Sequence, residues 1–188
     1  MSILILDNYD SFTYNLVHLV EQFTDDFEVH RNDKISLSSV DKFDKILISP
    51  GPGLPKNAGI LPVLLEKYST SKSILGICLG MQAIVEHFGG RLYNLPNVMH
   101  GVSEETVINT KDPLFTEIPK KFACGRYHSW GVKVNELPPD LILLAEDKYD
   151  IAMAIKHATL PIKGIQFHPE SILTPKGKQL IRNWILIS

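Results

Sequence analysis

Cys78 stands in Gly76-Ile77-Cys78-Leu79-Gly80, between a run that reads as a buried strand and one that reads as a helix. A Gly-x-nucleophile-x-Gly turn at such a junction is an elbow that lifts a reactive side chain out over the end of a sheet. The glycines allow the tight turn and the close approach of neighbouring backbone. The helix start favours a thiolate, whose free pKa is about 8.5, and the Leu79 N–H would face an oxyanion formed there. A free cysteine is otherwise often a small packed side chain. The paired glycines and the strand-to-helix position favour a nucleophile here. Cys124, in Phe122-Ala123-Cys124-Gly125, has no such setting and reads as a core or loop thiol. The chain has only these two cysteines and no Cys-x-x-Cys, so no disulfide framework is implied.

A cysteine nucleophile needs a base, and the base needs an orienting group. Seven histidines compete. His18 and His87 fall in amphipathic helical patterns, and His30 and His157 near strand ends without a motif. His100, before Gly101, reads as a loop residue near the site. His168 ends a strand pattern in Phe167-His168-Pro169-Glu170. Pro169 biases it to an extended conformation, so residues 168 and 170 face one side. Glu170 would then take one ring N–H and fix the tautomer whose other nitrogen accepts the thiol proton. A strand-end His beside an exposed Glu is the plain alternative. A zinc-deaminase reading of His-x-Glu fails for want of Pro-Cys-x-x-Cys. His128, in Arg126-Tyr127-His128-Ser129-Trp130, lacks a following acid and reads as structural or close to substrate. Ser49-Pro50-Gly51-Pro52-Gly53 follows another strand pattern. It lacks the Lys-Ser/Thr of a phosphate loop and locally reads as a plain Pro/Gly turn, but at the same sheet edge as Cys78 its N–H groups suit an oxyanion or a carboxylate.

The elements that must position these residues alternate. Strands are predicted at 3–6, 27–30, 45–48 and 73–77, and helices at 12–23 (with Ser11 as N-cap), 60–68 and 80–88, the last closed by Gly89-Gly90. This pattern predicts an α/β fold: an open, mostly parallel sheet with helices on both faces, whose ligands bind at the strands' C-terminal edge. The second half predicts a smaller antiparallel strand set, around Thr106, Val132, 141–145, 152–156 and 162–167, and a last helix over 176–186. The 188 residues fit a single domain.

The net charge of −2 comes from scattered residues, with no basic block for nucleic acid. No apolar run nears the ~20 residues of a membrane span, and the opening Met1–Asp7 lacks the regions of a signal peptide. A cytoplasmic location is expected, with no nucleic-acid or membrane partner and no metal.

Taken together, Leu6-Asp7-Asn8-Tyr9-Asp10-Ser11-Phe12-Thr13, Ser49–Gly53, Gly76-Ile77-Cys78-Leu79-Gly80-Met81-Gln82, Arg126-Tyr127-His128-Ser129 and Phe167-His168-Pro169-Glu170-Ser171 resemble the class I (triad) glutamine amidotransferases nearly end to end. Within them they resemble the branch serving as component II of anthranilate or aminodeoxychorismate synthase. The resemblance implies a flavodoxin-like fold and a triad of Cys78, His168 and Glu170. It implies an oxyanion hole from Gly51 and Leu79, and glutamine contacts at Gly51, Pro52, Gly53, Gln82, Ser129 and Trp130. It also implies no cofactor, and a chorismate-using large subunit as recipient of ammonia. Met81 stands where relatives often carry His, Trp130 replaces a more usual Leu, and His100-Gly101 lacks its usual following Lys. Two other readings remain: a non-catalytic, redox-sensing flavodoxin-like protein, and a cysteine hydrolase of peptides or esters.

Overall fold

In the computed structural model, which describes residues 1–186, every strand up to residue 77 runs parallel to its neighbours. The chain passes through β1 (Ile3–Asp7), α1 (Thr13–Val20), β2 (Phe27–Arg31), β3 (Lys45–Ile48), α2 (Leu61–Tyr68), β4 (Ser73–Ile77) and α3 (Leu79–His87). It continues through β5 (Tyr93–Asn94), β6 (Val102–Ile108), β7 (Lys121–Arg126), β8 (Trp130–Gly131), β9 (Leu141–Glu146), β10 (Ala152–His157), β11 (Ile162–Ile165) and α4 (Gly177–Leu186). The main sheet has the order β2-β1-β3-β4-β11-β10-β9-β6-β7, while β5 and β8 form a separate antiparallel pair.

Side chains alternate across β1. Ile3 and Ile5 join α1 and α4 on one face, through Leu16, Val20, Leu180 and Trp184. Leu4 and Leu6 join α2 and α3 on the other, through Leu61, Leu64, Ile84 and Val85. Helices on both faces are why the inner strands are buried along their whole length. Lys45 of β3 is buried too, and its Nζ donates to the carbonyls of Trp184 (2.9 Å) and Ile185 (3.1 Å) at the end of α4.

The antiparallel set joins this sheet instead of standing apart. β11 pairs parallel with β4 and antiparallel with β10, so the change of direction falls on the strand that leads to His168. In the β4–β11 register Ile77 lies opposite Ile165. The residues just past those ends, Cys78 and Gln166, therefore emerge side by side. Ile48 of β3 lies opposite Gly76, which brings the loop after β3 to the same edge.

Some local expectations differ from the structure. Ser11 does not cap α1, which starts after Phe12 without a side-chain cap among the described residues. The Asp10 carboxylate instead accepts the Phe12 N–H (2.7 Å), and its carbonyl accepts the Thr13 N–H (3.2 Å). β11 stops at Ile165, short of Phe167, because the chain turns there to meet β7. β7, which carries Cys124, has no clear strand pattern: Gly125 and charged ends interrupt its alternation. The close of α3 is as predicted. Gly89 has φ +85°, and the N–H groups of Gly89 and Gly90 return to the carbonyls of Glu86 and Val85. Among the described residues no helix is long and apolar enough to cross a membrane.

Candidate active site

Cys78 is forced into a left-handed backbone, with φ +51° and ψ −101°. A non-glycine residue holds such a conformation only when its surroundings over-determine it. Those surroundings are visible. A Cβ on Gly76 would sit 2.4 Å from the Gly80 carbonyl carbon, and one on Gly80 would sit 2.8 Å from the Ile48 carbonyl oxygen. Only glycines let β4, α3 and β3 approach this closely. The Cys78 N–H donates to the Ile165 carbonyl (2.8 Å), which pins the elbow to β11. Leu79 opens α3, where first-turn N–H groups have no acceptor within the helix. Cys78 itself is buried apart from a small exposed fraction.

His168 and Glu170 meet as their spacing predicts. His168 Nδ1 and Glu170 Oε1 are 2.6 Å apart, and both side chains are buried. The His168 backbone is fixed from β7: its N–H donates to the Gly125 carbonyl (3.0 Å). Its carbonyl accepts from Thr174 Oγ1 (2.6 Å), which in turn accepts the Gly125 N–H (2.9 Å). His168 Nε2 is buried and has no hydrogen-bond partner among the described residues. Burial opposes a charged ring here. The Cys78 sulfur and the Glu170 carboxylate beside it outweigh that, and the His168 pKa is raised above its ordinary value. The open ring nitrogen beside a thiol can take and return a proton.

The loop after β3 lies against the same elbow. A Cβ on Gly51 would be 2.8 Å from Leu79 Cδ2 and 2.6 Å from Asn8 Cβ, so its backbone sits directly on the start of α3. Ser49 and Asn8 hold the loop. Ser49 Oγ accepts the Asn8 N–H (2.9 Å) and donates to the Pro50 carbonyl (2.7 Å), while Asn8 Nδ2 donates to the Ser49 carbonyl (2.9 Å). Pro52 and Gly53 are exposed, and Gly53 has φ +76°.

Gln82, on the first turns of α3, is buried and donates through Nε2 to the Trp130 carbonyl (2.9 Å) and to Gln166 Oε1 (3.1 Å). Ser129 and Trp130 are half-buried beside it. The Trp130 carbonyl also meets His128 Nδ1 (2.7 Å). His128 Nε2 accepts from Arg126 Nε (3.1 Å), and the Arg126 guanidinium pairs with buried Asp147. Burial first, and then the Arg126 charge, push the His128 pKa down to about 4. His128 is therefore a neutral, structural histidine and no rival to His168. Met81 is fully buried, and a Cβ on Gly164 of β11 would come 2.8 Å from its Cγ.

The structure thus brings Cys78, Leu79, Gly51, Gln82, His168 and Glu170 to one sheet edge. It leaves Cys124 in the core, where burial raises its thiol pKa to about 11 and its sulfur meets Thr106 Oγ1 at 3.1 Å. His100 is exposed, 6.1 Å ring to ring from Tyr127. Three neighbours of the site carry little signal of their own in the sequence. The Tyr127 ring lies 4.9 Å from the His168 ring, and the Phe12 ring 6.5 Å, so the two shield the imidazole. Asp10 is held above its ordinary pKa by burial, partly offset by the Phe12 N–H and by His168. A cavity of about 600 Å³ lies elsewhere, lined by Tyr93, Leu95, Met99, Arg126 and Tyr149 among others, and no triad residue lines it.

Comparison with known proteins shows the family. The model of the glutamine amidotransferase class-I family matches residues 4–187. An anthranilate synthase component 2 of Lactococcus lactis is 45% identical, covering 97% of this chain and 93% of that protein. An aminodeoxychorismate/anthranilate synthase component 2 of Bacillus subtilis is 40% identical, over 97% of this chain and 95% of its own. The crystal structure of a glutamine amidotransferase from Thermotoga maritima superposes with a TM-score of 0.77 at 13% identity, covering 98% of this chain and 96% of that one, and supports the fold alone.

Proposed function

The chain belongs to the class I glutamine amidotransferases, and we propose that it releases ammonia from glutamine through Cys78, His168 and Glu170 and delivers it to a chorismate-using large subunit. The observation that carries the reading is the buried His168–Glu170 pair, 2.6 Å apart, whose unpartnered ring nitrogen shares the sheet edge with the strained Cys78.

The steps follow from the groups present. The Cys78 thiolate attacks the side-chain amide carbon, and the carbonyl oxygen becomes an oxyanion held by the N–H groups of Gly51 and Leu79. Imidazolium at His168 gives its proton to the departing amine, so ammonia leaves and a γ-glutamyl thioester remains. His168, now neutral, takes a proton from water, and the hydroxide attacks the thioester. Collapse frees glutamate and returns the thiolate and imidazolium. Glu170 holds the ring in one orientation throughout and stabilises its charge. Gly53, Pro52, Gln82, Ser129 and the Trp130 backbone hold the amino-acid end of the substrate. With both Gln82 Nε2 hydrogens donated within the protein, its Oε1 is left to accept from the substrate ammonium.

For the partner, we favour an anthranilate-forming large subunit, since the Lactococcus relative bears that name alone. The Bacillus relative, named for both reactions, keeps an aminodeoxychorismate-forming partner as the second reading. The whole chain acts as one amidotransferase domain. Purified chain is expected to release glutamate from glutamine slowly, and at least several-fold faster once its native large subunit is added. Product identification from chorismate plus glutamine then separates the two pathways. Full activity from the chain alone, unchanged by the large subunit, would contradict the coupling.

A further inference from the structure

Gln166 has no role in the scheme above, yet it is fully buried and its side chain ends on the nucleophile: Nε2 lies 3.5 Å from Cys78 Sγ. The direction of that contact is fixed at a distance. The Trp130 carbonyl can only accept, so Gln82 must turn its Nε2 toward it. That same Nε2 faces Gln166 Oε1, so Gln166 must present its own Nε2 to the sulfur. Behind the Trp130 carbonyl the polarity is fixed again. Arg126 can only donate, so His128 accepts at Nε2 and donates from Nδ1 to Trp130. A continuous chain of hydrogen bonds thus runs from the buried Asp147–Arg126 pair through His128, the Trp130 carbonyl, Gln82 and Gln166 to Cys78.

Resting on the reading of Cys78 as the nucleophile, we propose that Gln166 is a further residue of the catalytic machinery, which donates a hydrogen bond to Cys78 Sγ and ties the sulfur to the glutamine-binding backbone at Trp130. A donor aimed at sulfur favours the thiolate over the thiol. It also acts from outside the triad: β4 and β11 place residues 78 and 166 side by side, and the donor reaches the sulfur through Gln166, not through His168. When glutamine engages Gln82 and Trp130, the same chain registers its arrival at the nucleophile.

The test reads the thiol directly. Rates of Cys78 alkylation by iodoacetamide are measured against pH for the full chain, for Gln166→Met, which removes the donor at similar size, and for Gln166→Glu, which replaces it with a carboxylate. The midpoint of the profile should move up by about one pH unit in Gln166→Met, making alkylation about tenfold slower at pH values below both midpoints, and further in Gln166→Glu. Glutamine turnover should fall by about the same factor as the thiolate fraction. A role confined to packing would lower stability and leave the midpoint in place. An unmoved midpoint in either folded variant overturns the proposal, and Gln166→Glu stands in if Gln166→Met does not fold. Alkylation needs no glutamine. A chain that shows the shifts but never turns over glutamine would therefore sink the glutaminase reading and leave Gln166's contact with the thiolate intact.

Discussion

Cys78→Ala is expected to lower glutamine-dependent glutamate release by roughly 10⁴-fold or more, the scale seen when a covalent nucleophile is removed. The substitution deletes one sulfur at a site where Gly76, Gly80 and the β11 carbonyl of Ile165 hold the backbone, so the fold should survive. The proposed glutamine contacts lie on Gln82, Trp130 and the Gly51 loop, so binding should persist and the loss should fall on kcat. In complex with the large subunit, the variant should still support synthesis from added ammonium salt. That pair of results separates a lost nucleophile from a lost complex. Residual glutamine-dependent activity within tenfold of the unaltered chain would contradict the assignment. Cys124→Ala is the control: it removes a core thiol and should leave the chemistry in place.

Glu170→Gln is expected to cost about 10²–10⁴-fold in kcat with little change in KM. Glu170 Oε1 accepts from His168 Nδ1 in the buried pair, and the carboxylate can only accept. An amide in the same place can donate. It can turn an N–H toward Nδ1, which then becomes the acceptor and moves the ring proton to Nε2, the position that must be open to the Cys78 proton. The variant also removes a negative charge that helps hold the His168 pKa up against burial. Imidazolium is then less favoured when ammonia must be protonated, and the activity profile should lose its plateau on the alkaline side first. A variant with unchanged kcat would show that the carboxylate does not orient the ring.

Much of this site was legible because its chemistry is written locally. Two glycines around a cysteine, at a junction of strand and helix, specify the elbow. A proline between His168 and Glu170 specifies that both face one way. The parallel half of the sheet was legible for a similar reason: strands buried on both faces are short apolar runs, as in residues 3–6 and 46–48, the latter preceded by Lys45, whose amine reaches the end of α4. What could not be read depends on pairing between distant segments. β7 has no clean alternation, since one of its residues is the glycine that must admit Ser171 and Leu173 of the His168 loop. The turn before α1 is closed by Asp10 and not by Ser11, because Asp7 takes the Tyr9 N–H and the Thr13 hydroxyl and so sets the chain's course into the helix. Gln166 carries no local signal in the sequence. Its meaning comes from β4 and β11 lying side by side, a register that no local motif encodes.

The central claim is that one thiol, in a pocket shaped for glutamine, is activated by His168. Treatment of the chain with a diazoketone analogue of glutamine, followed by peptide mass mapping, tests it most directly. The predicted result is a single adduct on Cys78, suppressed by excess glutamine and formed far more slowly in His168→Ala. An unmodified Cys78 under conditions where simple oxidants do modify it, or an adduct that glutamine fails to suppress, would contradict the account and favour a redox-sensing thiol.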